Sequence, residues 1–120
     1  MMELTKISKL IYTKIEQLEA GRKTLKERGE SKSLATAEYE KKLAITIIRL
    51  KNGESLDIEA YKIENPPATL TEKIAKGICW NEKLEMDKSE ALYKAALVNM
   101  QSFTAALSAL QSILKYSEEK

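Results

Sequence analysis

The chain has 120 residues, of which 43% are hydrophobic, 6% aromatic and 32% charged, with Lys+Arg 20 against Asp+Glu 18. That is one domain's worth of chain, able to remove roughly two-thirds of its unfolded surface from water without disulfide or metal staples, and a net charge of +2 is too small to mark a nucleic-acid binder by itself. With no His and a single Cys, Cys79, an internal disulfide, a multi-cysteine zinc or iron–sulfur site and His-based acid–base or metal chemistry are all excluded.

From about Glu3 to Gly29, apolar residues fall at Leu4, Ile7, Leu10, Ile11, Ile15, Leu18 and Leu25. Spacings of three and four predict an amphipathic helix. Its stripe is thin and skips Lys14, Gly21 and Arg28, where a heptad wants apolar side chains, so it needs a partner helix from its own chain or another. Ser31-Lys32-Ser33 reads as a break, with Ser31 or Ser33 capping a second helix over about 34–52. There Leu43, Ala44, Ile45, Ile47, Ile48 and Leu50 cover most of the circumference, which predicts burial from more than one side. Asn52-Gly53 is a stop signal.

Residues 53–69 read as a loop in which Ile58, Ala60, Tyr61 and Ile63 leave room for a short extended piece, and Pro66-Pro67 bars a helix. Thr69-Leu70-Thr71-Glu72 is a capping box, with Thr69 at the cap, opening a short helix over 70–76 that Gly77 closes. From there no Gly or Pro interrupts the chain, so a long last helix is predicted over 80–117, at ~1.5 Å per residue about 60 Å. Its heaviest face is Leu92, Ala96, Met100, Phe103, Leu107, Leu110 and Leu114, and a second face is built of the small residues Ala91, Ala95, Ser102, Ala105, Ala109 and Ser112.

A compact globule of this mass is only about 30 to 35 Å across, too small to hide such a helix. The expected fold is therefore all-α: an elongated helical bundle with a long C-terminal helix, assembled with other subunits. Leu92, Met100, Phe103, Leu107, Leu110 and Leu114 are the expected oligomerisation residues, and a homo-oligomer is the expected state. The N-terminus lacks the apolar stretch of a signal peptide, and the longest apolar run, Ala95 to Val98, falls far short of a membrane span. The expectation is a soluble, cytoplasmic protein that does not enter a membrane.

Two basic sets are candidate sites. Arg22, Lys23, Lys26, Arg28 and Lys32 put five cations in eleven residues, and the chain through Leu34 holds eight basic and five acidic residues while the rest sums to −1. Cations three and four apart share a helix face and can contact phosphates. The plainer reading is a solvated helix end complementing the dipole. Lys41, Lys42, Arg49 and Lys51 form the second set, with Lys42 and Arg49 one heptad apart and Glu38 and Glu40 as local partners. Tyr39 and Tyr61 are the nearest stacking candidates, or else residues packed at the core edge.

Glu82, Glu85, Asp87 and Glu90 alternate with Lys83 and Lys88, which reads as a helix opening rather than a metal or acid–base site. Trp80 reads as a packing anchor where the short helix meets the long one. Cys79 has no His to pair with, and the four glycines, scattered at 21, 29, 53 and 77, make no phosphate loop. No catalytic residue, metal or cofactor is expected.

Pro67-Ala68-Thr69-Leu70, Ile74-Ala75-Lys76-Gly77 and then Leu84, Asp87 and Ala91-Leu92-Tyr93-Lys94-Ala95 resemble a group of small helical proteins of bacteriophages and prophages, over about Ala37 to Ile113. A weaker likeness extends to the UvsY-type recombination mediators of large phages. Lys41-Lys42-Leu43-Ala44, Arg49-Leu50 and Gly53 resemble their basic helix and the loop after it, and Asp87-Lys88 with the apolar run through Ala109-Leu110 and Ile113 resembles their C-terminal oligomerising helix. Glu54 and Asp57 stand where those proteins carry a basic loop.

The leading expectation is a phage accessory protein that oligomerises and binds single-stranded DNA in recombination or replication, the role the resemblance implies, with Arg22, Lys23, Lys26, Arg28, Lys41, Lys42, Arg49 and Lys51, read from their charge and spacing, on phosphates. The alternative is an inhibitor or adaptor that binds a phage or host protein and no nucleic acid.

Overall fold

The computed structural model describes residues Glu3 to Glu118. The fold is all-α with one small hairpin: α1 (Leu4–Lys51), β1 (Leu56–Ile58), β2 (Tyr61–Ile63), a 3-10 turn at Ala68–Leu70, α2 (Thr71–Ile78) and α3 (Trp80–Glu118). The chain divides into two compact units, one of residues 3–29 and 92–118, the other of residues 30–91.

The expected break at Ser31-Lys32-Ser33 is not there; α1 is one helix of 48 residues. Neither Gly nor Pro occurs between Gly29 and Gly53, and serine costs a helix interior only about 0.5 kcal/mol, so packing along α1 carries it through. The long C-terminal helix starts at Trp80 as expected.

In the first unit, α1 turns one stripe inward: Ile7, Ile11, Lys14, Leu18, Gly21, Leu25 and Gly29 are buried or half-buried, with Gln17 half-buried beside them. As far as Leu25, gaps of four and three alternate, so these are the core positions of a heptad. Lys14 and Gly21 occupy this seam at the heptad positions where the sequence lacks an apolar side chain. Lys14 lies with its ammonium 5.8 Å from the centre of the Phe103 ring, a contact that keeps the charge attracted while its stem packs. Gly21 leaves room for Met100, whose Sδ sits 2.5 Å from where a β-carbon would stand.

From Leu25 the next half-buried position is Gly29, four residues on instead of three. This is a stutter that locally unwinds the supercoil, and it takes Arg28 off the seam. On α3 the matching positions are Tyr93, Ala96, Met100, Phe103, Leu107, Leu110 and Leu114. Tyr93 meets Gly29 while Met100 and Phe103 meet Gly21, so the two helices run antiparallel in this unit.

In the second unit, α1 presents Lys32, Thr36, Tyr39, Leu43, Thr46 and Leu50 at the same spacing. Thr46 reaches Cys79, Oγ1 to Sγ 3.6 Å, and its hydroxyl also donates to the Lys42 carbonyl at 2.7 Å. Tyr39, Leu50, Ala75 and Cys79 are the buried apolar core here, with Thr71 and Thr46 buried beside them.

The α1 terminus is a Schellman closure: the Glu54 N–H donates to the Arg49 carbonyl and the Gly53 N–H to the Leu50 carbonyl, each at 3.1 Å, with Gly53 at φ +82°. The 53–69 loop contains the antiparallel hairpin, Leu56 opposite Ile63 and Ile58 opposite Tyr61. Its two-residue turn puts Glu59 at φ +51°, where glycine is the usual occupant.

The capping box does not form. Ala68–Leu70 is already helical in the 3-10 sense, α2 begins at Thr71, and no side chain caps it. Instead the Thr71 hydroxyl donates back to the Pro67 carbonyl at 3.3 Å. The short helix passes Gly77 and ends at Ile78, so a single glycine does not stop it.

Candidate binding surfaces

Both basic sets lie on α1; Arg22, Lys23, Lys26 and Arg28 of the first fall in the first unit, and its Lys32 falls in the second unit with the second set. Arg22, Lys23, Lys26 and Arg28 are all exposed, and among the described residues none is paired with a carboxylate. They do not form a single face. Lys23 and Lys26 point away from the Gly21–Leu25–Gly29 seam together with Glu19 and Glu27, whereas Arg22 and Arg28 flank the seam about 120° apart on the helix wheel.

In the second unit, Lys41, Lys42 and Arg49 line an open groove of about 220 Å³ with Glu38, Ile45 and Thr46. Lys42 and Arg49 do share a side, as their heptad spacing predicts. Both are neutralised there. Lys42 Nζ is 2.6 Å from Glu82 Oε1 on α3, and Arg49 Nε is 3.2 Å from Glu54 Oε2. The Lys42 partner thus comes from 40 positions away, not from Glu38 or Glu40. The Lys42 hydrogen bond holds the Glu82 carboxyl below its ordinary range, against a smaller opposing effect of burial. The second oxygen, Oε2, is buried without a hydrogen-bond partner. Lys41 and Lys51 are exposed and carry no carboxylate partner among the described residues.

Of the two stacking candidates, Tyr39 is buried under Lys83, whose ammonium lies 5.6 Å from the ring centre, and only Tyr61 is exposed. The buried residue at the α2–α3 junction is Cys79, while Trp80 is 56% exposed. The expectation of Trp80 as the packing anchor is therefore corrected: as the first residue of α3 it sits one position past the seam.

Glu85 and Asp87 pair with Lys88 and Lys83 within α3, the ion-pair pattern of a helix opening. No group of three or more His, Cys, Asp and Glu able to hold a metal occurs among the described residues. No helix of the described residues is long and apolar enough to cross a membrane.

The expected oligomerisation residues fall into two groups. Met100, Phe103, Leu107, Leu110 and Leu114 are half-buried on the α3 seam, and Met100 and Phe103 pack on Gly21 of the same chain. Leu92 lies off that seam and is exposed. The thin stripe of α1 thus finds its partner within the chain. Three exposed apolar side chains on α1, Leu34, Ile45 and Ile48, stand on the face opposite its second-unit seam. The burial from both sides predicted for that segment does not occur within one chain.

Sequence reasoning missed the hairpin because its turn, Glu59-Ala60, carries neither Gly nor Asn. It missed the Glu82 partner because a pair 40 positions apart leaves no local signal. Compared with protein-family models, curated proteins and solved structures, the chain gives no significant match to any.

Proposed function

We propose that this is a non-catalytic accessory binding protein of phage or prophage origin that self-associates and contacts single-stranded DNA through α1, in recombination or replication. The observation that carries the reading is the set of exposed cations without carboxylate partners: Arg22, Lys23, Lys26 and Arg28 in one unit, Lys41 and Lys51 in the other. Lys42 and Arg49 would have to give up their Glu82 and Glu54 partners to meet a phosphate, so they leave the contact set.

Six phosphate contacts on a single strand give a slope of about −4 in log affinity against log salt. Anisotropy titration of a labelled oligonucleotide across salt concentrations measures it. Replacing Arg22, Lys23, Lys26 and Arg28 by Ala together reduces that slope by about 3, while Lys42→Ala leaves it in place. Absence of binding at low salt discards the nucleic-acid half of the reading.

A protein-binding inhibitor or adaptor is the second reading, favoured by the exposed Leu34, Ile45 and Ile48 on α1. A partner retained from host lysate after nuclease treatment supports it, and loss of that partner on Ile45→Glu and Ile48→Glu locates the contact.

A further inference from the structure

The α3 seam in the first unit is occupied by α1, yet the opposite side of α3 carries a second heptad stripe: Val98, Ser102, Ala105, Ala109, Ser112 and Tyr116, all exposed. We infer that two copies of this chain pair across this stripe, antiparallel and about a two-fold axis. This rests on the self-association half of the function proposed above and is independent of the nucleic-acid half.

Charge is the first argument. From Ala95 to Leu114 the chain has 20 residues without one ionisable side chain, in a protein that is 32% charged. The outer face of α1 in the same unit carries Lys9, Glu16, Glu19, Lys23 and Lys26, as a solvated helix does. Two copies of the α3 face can therefore meet without stranding or opposing a charge. Both ends of the stripe are large and apolar in body, Val98 at 61% and Tyr116 at 63% exposure.

Symmetry is the second argument. A two-fold interface must match itself, each residue i meeting j while j meets i. Read from either end, the stripe runs large, Ser, Ala, Ala, Ser, large, with gaps of four, three, four, three and four. Laid antiparallel, it puts Ala105 against Ala109 of the second copy, Ser102 against Ser112, and Val98 against Tyr116, each contact made twice. The small central residues let the helices approach closely, and the Val98–Tyr116 contacts close both ends. A partner of another sequence has no need of this palindrome. A single helix pair over this length is a small interface, near the roughly 1,000 Å² in total that a specific one needs.

Sedimentation velocity of the full chain without nucleic acid, over about 1 to 300 μM, tests this. Ala105→Lys with Ala109→Lys sets like charges face to face and weakens dimerisation about a hundredfold. Ala105→Glu with Ala109→Lys sets opposite charges face to face and keeps the dimer. Both positions of change are exposed in the monomer, and circular dichroism verifies that helix content is kept.

A wild-type chain that stays monomeric throughout overturns both the interface and the self-association reading. Self-association that ignores the double-lysine change overturns this interface alone. Equal loss in both charged variants overturns the antiparallel two-fold register.

Discussion

Gly21 and Gly29 lie in the same helix, and the same substitution at each separates intrinsic helix propensity from packing. Gly→Ala in a helix interior contributes about 1 kcal/mol of propensity at either site. At Gly29 the new methyl meets Tyr93 Cε2 at 3.5 Å, ordinary van der Waals contact, so the whole gain is kept. At Gly21 it falls 2.5 Å from Met100 Sδ, so the sulfur must move by about 1 Å. Overpacking of this kind costs about 1–3 kcal/mol, toward the low end here because Met adapts.

The expected result is Gly29→Ala more stable by about 1 kcal/mol and Gly21→Ala less stable by up to about 2 kcal/mol. Urea unfolding followed by helix signal measures both. Adding Met100→Ala should reverse the sign of the Gly21→Ala effect, since the obstruction is then gone. If Gly21→Ala stabilises as much as Gly29→Ala in the presence of Met100, α3 does not lie against α1 at Gly21 and the seam assigned to the first unit is wrong.

Two further outcomes follow from the second unit. Leu50→Ala, at a position 3% exposed, should cost about 2–5 kcal/mol in urea unfolding, whereas Ile48→Ala, two residues away and 57% exposed, should change monomer stability by about 0.5 kcal/mol or less. Equal losses would place the seam on the wrong face. Glu82, held below its ordinary value of 4.5 by Lys42, binds its proton less tightly folded than unfolded. Its contribution is therefore complete above that pH and is lost as pH falls through the lower folded value. Lys42→Met should lower stability at neutral pH by up to about 1 kcal/mol and flatten the acid dependence. An unchanged pH profile would mean that the pair does not persist in solution.

Local chemistry carried much of this architecture. The three-four spacing of Ile7, Ile11 and Leu18, and of Met100, Phe103, Leu107, Leu110 and Leu114, specifies helices and their inward faces, because the period is a property of the helix itself. Asn52-Gly53 specifies where α1 stops, since only glycine takes a positive φ without strain. Thr69-x-x-Glu72 misled, because a capping box competes with what the preceding Pro67 and the packing of Ala75 and Cys79 impose on the same backbone. The apparent break at Ser31 misled for a related reason: weak local preferences yield to side chains packed along both neighbouring turns.

Of the candidate sites, the sequence alone identified the cations and the two faces of α3, since residue type and period are both local. Whether Lys42 and Arg49 are available depended on where Glu82 and Glu54 come to rest. Whether the heavy or the small face of α3 stays open depended on which one α1 covers. Those are contacts between distant segments, chosen by the sum of many weak packing terms, and no short stretch of chain encodes them.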